Sequence, residues 1–266
     1  MTIQPYNSDL NFVGSIPNYD LLFLALSKIN LGDRIKEIEE ILVTRNLFDF
    51  RTEEARGRFF RMIKSTIFNT YSEEQSELLA SIFDENCNFQ NKNIVLFWQL
   101  CLSNRLFREI SVNVYLKNYY AGRSHLSARD VEDYIMHLKE TDPTIKEWSI
   151  KTIIPVASKY LTILKKLNLL DGAAKKQILP VTIDNNTMVL FVYLIKSINP
   201  DNFNFLNSEY FQLSLMSRDT FLSFAKKVGN MSFWDMTFDG TALKFTLKQK
   251  PNNIANALFN RTQTKI

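Results

Sequence analysis

Between Thr144 and Lys176 the chain carries seven lysines, Lys146, Lys151, Lys159, Lys165, Lys166, Lys175 and Lys176, against two acids, Glu147 and Asp171. The chemistry open to such a cluster is charge neutralisation: ammonium groups laid along a polyanion displace its condensed counterions, and their release favours binding. Ser149 and Thr152 add hydroxyl donors to the same stretch. A face that is merely solvated usually interleaves both signs, yet no acid lies between Lys151 and Lys166. The cluster holds no arginine, so it suits point-charge contact with phosphates better than bidentate reading of guanine. Weak sequence specificity is the expectation.

These side chains need an element to hold them. At about 100° per residue, Ile153, Ile154, Val156, Ala157, Tyr160, Leu161, Leu164 and Leu167 fall on one half of a helical wheel. Lys151, Thr152, Ser158, Lys159, Thr162, Lys165 and Lys166 fill the other. The spacing predicts a long helix from about 149 to 168, although Pro155 must either kink it or mark its true start. Ahead of it, Ser127 and Asp130 cap a helix carrying Val131, Tyr134, Ile135 and Leu138, and Thr141-Asp142-Pro143 ends that helix. Behind it, Asp171-Gly172 leads through Lys175 and Lys176 to an extended stretch expected over 178–183. Helix, helix, turn, long helix and extended pair is the order of a winged helix-turn-helix, whose second helix of the turn enters the DNA major groove. The residues by themselves leave nucleic-acid binding, protein docking and a structural role all open.

The rest of the chain frames this segment. With 266 residues, 45% hydrophobic and 23% charged, and only seven Gly and seven Pro, a mainly α fold is expected. We divide it into an N-terminal helical bundle (1–95), a winged-helix-like part (96–185) and a small α+β extension (186–266). In the first part, helices are expected over Asp20–Lys28, after a cap at Asp33, after Thr52-Glu53-Glu54 and after Ser72. The third of these sets Arg51, Arg58, Arg61 and Lys64 opposite Phe59, Phe60, Ile63 and Ile67. That second cationic stripe is either partly neutralised by Glu53-Glu54 or a second contact for a duplex. A helical pattern then continues from Ile94 to Tyr120. In the extension, Asp239-Gly240 between alternating apolar residues predicts a hairpin with a two-residue turn, and the last 15 residues look frayed. Charge is uneven: 10 Lys/Arg against 14 Asp/Glu up to Val95, but 22 against 14 from Leu96 on. A polyanion would bind mainly behind residue 96.

Other chemistry finds little support. His125 and His137 lack Cys or His partners at metal-ligand spacing. There is no Gly-rich phosphate loop and no His-Glu-x-x-His. Pro200-Asp201 with Glu209 resembles the acidic half of a metal-dependent nuclease site, but Tyr210-Phe211 follow where a lysine two residues after the Glu is wanted. No enzymatic activity, cofactor or metal is expected. Two cysteines cannot make a disulfide framework. The longest apolar run, 93–104, is far short of the ~20 residues that cross a bilayer. A cytoplasmic protein with no membrane partner is expected.

At this level the chain resembles the BrxA family of bacterial BREX phage-defence systems. The resemblance rests on Gly14-Ser15 before an apolar helix, Asn46-Leu47 followed by Arg51, Arg58 and Arg61, Glu147-Trp148-Ser149 with Thr152, and Leu164-Lys165-Lys166-Leu167-Asn168-Leu169-Leu170 before a short extended end. It implies a mostly helical accessory factor without enzymatic activity that binds double-stranded DNA, with a front part like the NusB antitermination proteins. It also implies DNA contacts at Lys146, Ser149, Lys151 and Thr152, and at Arg51, Arg58 and Arg61. Other BREX components are possible partners, and an adaptor that docks proteins without touching DNA is the alternative. The segment from Met188 onward has no counterpart in the resemblance.

Overall fold

The computed structural model describes residues 6–16, 19–20, 22–23, 35–46, 49–66, 69–84, 87, 89–199, 203–229 and 233–259. Most of the Asp20–Lys28 helix, the cap at Asp33, Ile67, Asp201, Arg261 and Lys265 lie outside these residues. No helix among them is long and apolar enough to cross a membrane.

The chain is mainly helical with small antiparallel sheets. Helix α1 spans Leu10–Ser15, and α2, Ile35–Glu39, runs on into a π-helical turn at Glu40–Thr44. Then come α3 (Glu53–Thr66), α4 (Glu73–Phe83) and α5 (Lys92–Ser103). Next, α6 (Arg105–Ile110) continues through π-helical Ser111–Leu116 into α7 (Lys117–Tyr120). Strand β1 (His125–Leu126), α8 (Ala128–Thr141), α9 (Ile150–Lys166), β2 (Leu170–Asp171) and β3 (Lys176–Ile178) follow. The remainder is α10 (Asn185–Lys196), α11 (Arg218–Gly229), β4 (Trp234–Phe238), β5 (Leu243–Leu247) and α12 (Pro251–Phe259).

Local chemistry sets these boundaries. Ser72 Oγ accepts from Gln75 N at 3.0 Å while Gln75 Oε1 accepts from Tyr71 N at 2.8 Å, closing the start of α4. Ser127 and Asp130 form a full capping box ahead of α8. Asp142 adopts extended backbone before Pro143, which ends α8. The unbroken helical pattern read from Ile94 to Tyr120 is divided at Asn104. Its side chain accepts from Phe107 N at 2.8 Å, offering the backbone a cap in place of a helical turn.

Contacts group the chain into two compact units, each interleaving distant segments. The first combines residues up to 22, 33–69 and 93–181. Its core holds Phe97, Trp98, Phe107, Tyr115 and Tyr160, with Phe107 and Tyr160 ring centroids 5.2 Å apart. Its sheet is antiparallel in the order β1-β3-β2, pairing His125 with Gln177 and Leu170 with Ile178. The strand expected at 178–183 thus sits earlier, at Lys176–Ile178, because Leu170–Asp171 and the tight turn at Gly172 (φ 95°) set the register.

The second unit combines 23–32, 70–92 and 182–266. Helix α4 packs on α12 and α10, and Phe191, Phe205, Phe221, Trp234 and Phe245 form an aromatic core beside the β4–β5 hairpin. Two expectations change here. Phe238 pairs with Leu243, so the turn has four residues rather than two. Asp239 Oδ1 accepts from Thr241 N at 2.9 Å, Thr241 Oγ1 at 2.9 Å and Ala242 N at 2.7 Å, which rewards the longer loop. The end of the chain is not frayed throughout: 251–259 is a helix burying Ile254 and Ala255.

Candidate nucleic-acid interface

Helix α9 is the scaffold of the candidate site. Ile153, Val156, Ala157, Tyr160, Ile163 and Leu164 turn inward, and Tyr160 Oη lies 3.1 Å from Ser111 Oγ. The helix runs through Pro155 without interruption from an N-cap at Ser149, so a start near Pro155 is ruled out. The proline sits exposed in the second turn, where its missing N–H leaves the Lys151 carbonyl to solvent.

The polar side of α9 is not one surface. Helix α1 lies across its C-terminal half. A Cβ at Gly14 would come within 2.9 Å of Lys159 Cβ and 3.1 Å of the Lys159 carbonyl oxygen, so glycine permits this approach. Lys166 Nζ donates to the Gly14 carbonyl at 2.9 Å and to the Ile16 carbonyl, and lies 5.3 Å from the Tyr19 ring centroid. Burial, then the neighbouring Lys159 charge, push its pKa below the usual lysine value. Lys165 donates to the Gly172 carbonyl at 2.9 Å and stands 3.6 Å from Asp171, whose pKa is lowered first by the Gly172 backbone and then by Lys165. Lys176 donates to the same carbonyl at 3.0 Å. The Lys165, Lys166 and Lys176 ammonium groups are engaged in holding α1 and the β2–β3 turn in place, while Lys159 meets α1 through its stem and backbone.

Lys146, Lys151 and Lys175 differ. All three are exposed, with no hydrogen-bond or ion-pair partner among the described residues. Lys146, Ser149 and Lys151 gather at the N-terminal end of α9, where Ser149 Oγ and Thr152 Oγ1 lie 3.3 Å apart, and Lys175 projects from the β2–β3 turn. The sheet brings in a cation that sequence reasoning missed. Ile178 N donates to the Ser124 carbonyl at 2.9 Å, and Arg123, Ser124, His125 and Lys175 line one shallow depression. Arg123 lies 3.9 Å from Asp130. The only sequence signal for this was β1, which at two residues is too short to show a strand period.

Ile154, expected on the buried face, is 48% exposed, and Ile150 is 55% exposed. On the wheel Ile154 lies just beyond the arc of buried residues, whereas Ile150 lies within that arc and is exposed because it is the first residue of the helix.

Arg51, just ahead of α3, and Arg58, Arg61 and Lys64 on it are exposed, as the wheel implied. Arg58 is paired with Glu54 one turn earlier. Arg61 lies over the Phe12 ring at 5.6 Å and lines, with Lys64, Asn7, Asp9, Ser65 and Asn69, an open depression of about 500 Å³. Among the described residues no group of three His, Cys, Asp or Glu could hold a metal ion.

A family model described as BrxA matches residues 22–192. The match takes in α9 and both strands of its hairpin and leaves β4, β5 and α12 outside. No curated protein matches the chain.

Proposed function

The chain belongs to the BrxA family, associated with BREX phage defence, and on that premise we propose that it is a cytoplasmic, non-enzymatic accessory protein that binds double-stranded DNA without a cofactor. In this reading β1, α8, α9, β2 and β3 form a winged helix: α8 and α9 are the helix-turn-helix, the first turns of α9 enter the major groove, and the β2–β3 turn is the wing on the backbone. The observation that carries it is the placement of unpartnered Lys146 and Lys151 at the start of α9 and of Lys175, beside Arg123, in the turn. Phosphates are favoured there twice over, by the ammonium charge and by the free backbone N–H groups of the helix N-terminus. Arg51 ahead of α3, with Arg61 and Lys64 on it, offers further phosphate contacts.

The test is a binding titration of the full chain on a mixed-sequence duplex at rising salt. With at least three phosphates neutralised, log affinity should fall against log salt with a slope of about −2.7 or steeper. Salt-insensitive binding, or none, overturns the reading. The adaptor alternative draws on Ile150, Ile154 and Met136, large apolar side chains left exposed on α8 and α9. Co-purification of another defence component that depends on these side chains, with no retention on DNA, would favour it.

A further inference from the structure

Helix α9 carries seven Val, Ile and Leu side chains, and five of them, Ile153, Val156, Leu161, Ile163 and Leu164, are buried. Ile150 and Ile154 are the two that face water. Four residues apart, they are neighbours on one side of the first two turns. Both are β-branched, so their side chains are held nearly rigid by the helix. With Ile150 at zero on the wheel, Ile154 stands at about 40°, Ser158 at about 80° and Lys151 at about 100°, and all four are exposed. The exposed surface of these turns thus combines a stiff apolar pair, a hydroxyl and a cation, with no acid.

We infer that Ile150 and Ile154 contact the C5-methyl groups of thymine in the major groove, so that α9 discriminates by methyl contact within binding otherwise led by phosphates. This rests on the DNA-binding reading above. If the start of α9 lies in the groove, its exposed arc faces base edges, and the apolar feature of those edges is the thymine methyl. The charge around the pair selects this occupant over a protein. Protein interfaces are depleted of lysine at their cores, whereas Lys146 and Lys151 border this pair, and the helix itself carries no carboxylate, the nearest being Glu147 ahead of it. The expectation of weak specificity, drawn from the absence of arginine, is thereby refined: guanine is not read, but a methyl-bearing pyrimidine is.

The experiment compares the full chain on three duplexes of one A·T-rich sequence at fixed salt: unmodified, with deoxyuridine at every thymine, and with deoxyuridine at every thymine and 5-methylcytosine at every cytosine. Each methyl buried against an isoleucine is worth roughly fourfold in affinity. The deoxyuridine duplex should therefore bind at least about fourfold more weakly, and 5-methylcytosine should restore part of the loss. In Ile150→Ala/Ile154→Ala the ratio should fall to near one, while the salt slope stays as in the wild type. Equal wild-type affinity for the first two duplexes overturns the inference and leaves DNA binding intact. A ratio that persists in the alanine variant assigns the effect to duplex shape and also overturns it. Absence of binding to every duplex overturns both readings together.

Discussion

Replacing Lys146, Lys151 and Lys175 together with glutamine removes three cations that have no partner among the described residues. No described residue leans on their ammonium groups, so far-UV circular dichroism and the denaturant midpoint should stay at wild-type values. Binding should change in a specific way. If each ammonium neutralises one phosphate, the slope of log affinity against log salt becomes shallower by about 2.7. Between about 50 and 200 mM salt, the wild-type to variant affinity ratio should then shrink about fortyfold. Fluorescence anisotropy on a labelled duplex at four or five salt concentrations reads this directly. Lys165→Gln/Lys166→Gln is the matching control. Those side chains carry the same kind of charge, but their ammonium groups are held by the Gly172, Gly14 and Ile16 carbonyls. The control should lose stability and keep its slope. A slope change below about 1 in the triple variant, or a larger change in the control, would refute the division of the lysines argued here.

Three further outcomes follow from other contacts. Gly14→Ala places a Cβ 2.9 Å from Lys159 Cβ and 3.1 Å from a backbone oxygen, so a urea titration should show a loss of about 1–3 kcal/mol, and an unchanged midpoint would mean that α1 does not pack as described. Pro155→Ala returns an N–H to the Lys151 carbonyl and removes an exposed ring, so stability should rise, by up to about 3 kcal/mol, and a lower midpoint in the same titration would show that the proline is needed in the helix. Asp239 is held at a pKa of about 2, first by the Ala242 and Thr241 N–H groups and then by the Thr241 hydroxyl; because the folded value lies below the unfolded one, the turn's stabilisation is complete above about pH 4 and is lost as pH falls toward 2. The Thr241 and Ala242 amide shifts should therefore titrate near pH 2, and a midpoint near 3.8 would show that the carboxylate is not held.

Helix starts and stops were legible where a short side chain and its backbone partner lie within four residues, as at Ser127 with Asp130, at Ser72 with Gln75, and at Asp142-Pro143. Such signals are local, so one sequence contains all their terms. Pairing was not legible. The α4 helix finds its partner in 251–259, two thirds of the chain's length away, and nothing in Leu78, Leu79 or Ile82 specifies that partner. The same distance explains why the C-terminal segment read as frayed: Ile254 and Ala255 have an apolar face too short to predict a helix until α4 covers it. The four-residue turn escaped because Asp-Gly suits the two-residue form as well. What decides between them is the register of Trp234–Phe238 on Leu243–Leu247.

The candidate site shows the same limit in one helix. A wheel assigns Lys151, Lys159, Lys165 and Lys166 to one polar half and cannot rank them, because rank depends on what lies outside the helix. Gly14 lets α1 close on Lys159, and the carbonyls freed at the end of α1 then attract Lys166. Gly172, in a conformation favourable to glycine, turns its carbonyl toward both Lys165 and Lys176. Two glycines, about 160 residues apart in sequence, thus convert three apparent ligand contacts into internal ones and set the stem of Lys159 against α1. By elimination, the charge left for a polyanion is displaced to the N-terminal end of α9 and the tip of the turn. Those are the two places where a helix in the major groove and a wing on the flanking backbone need it.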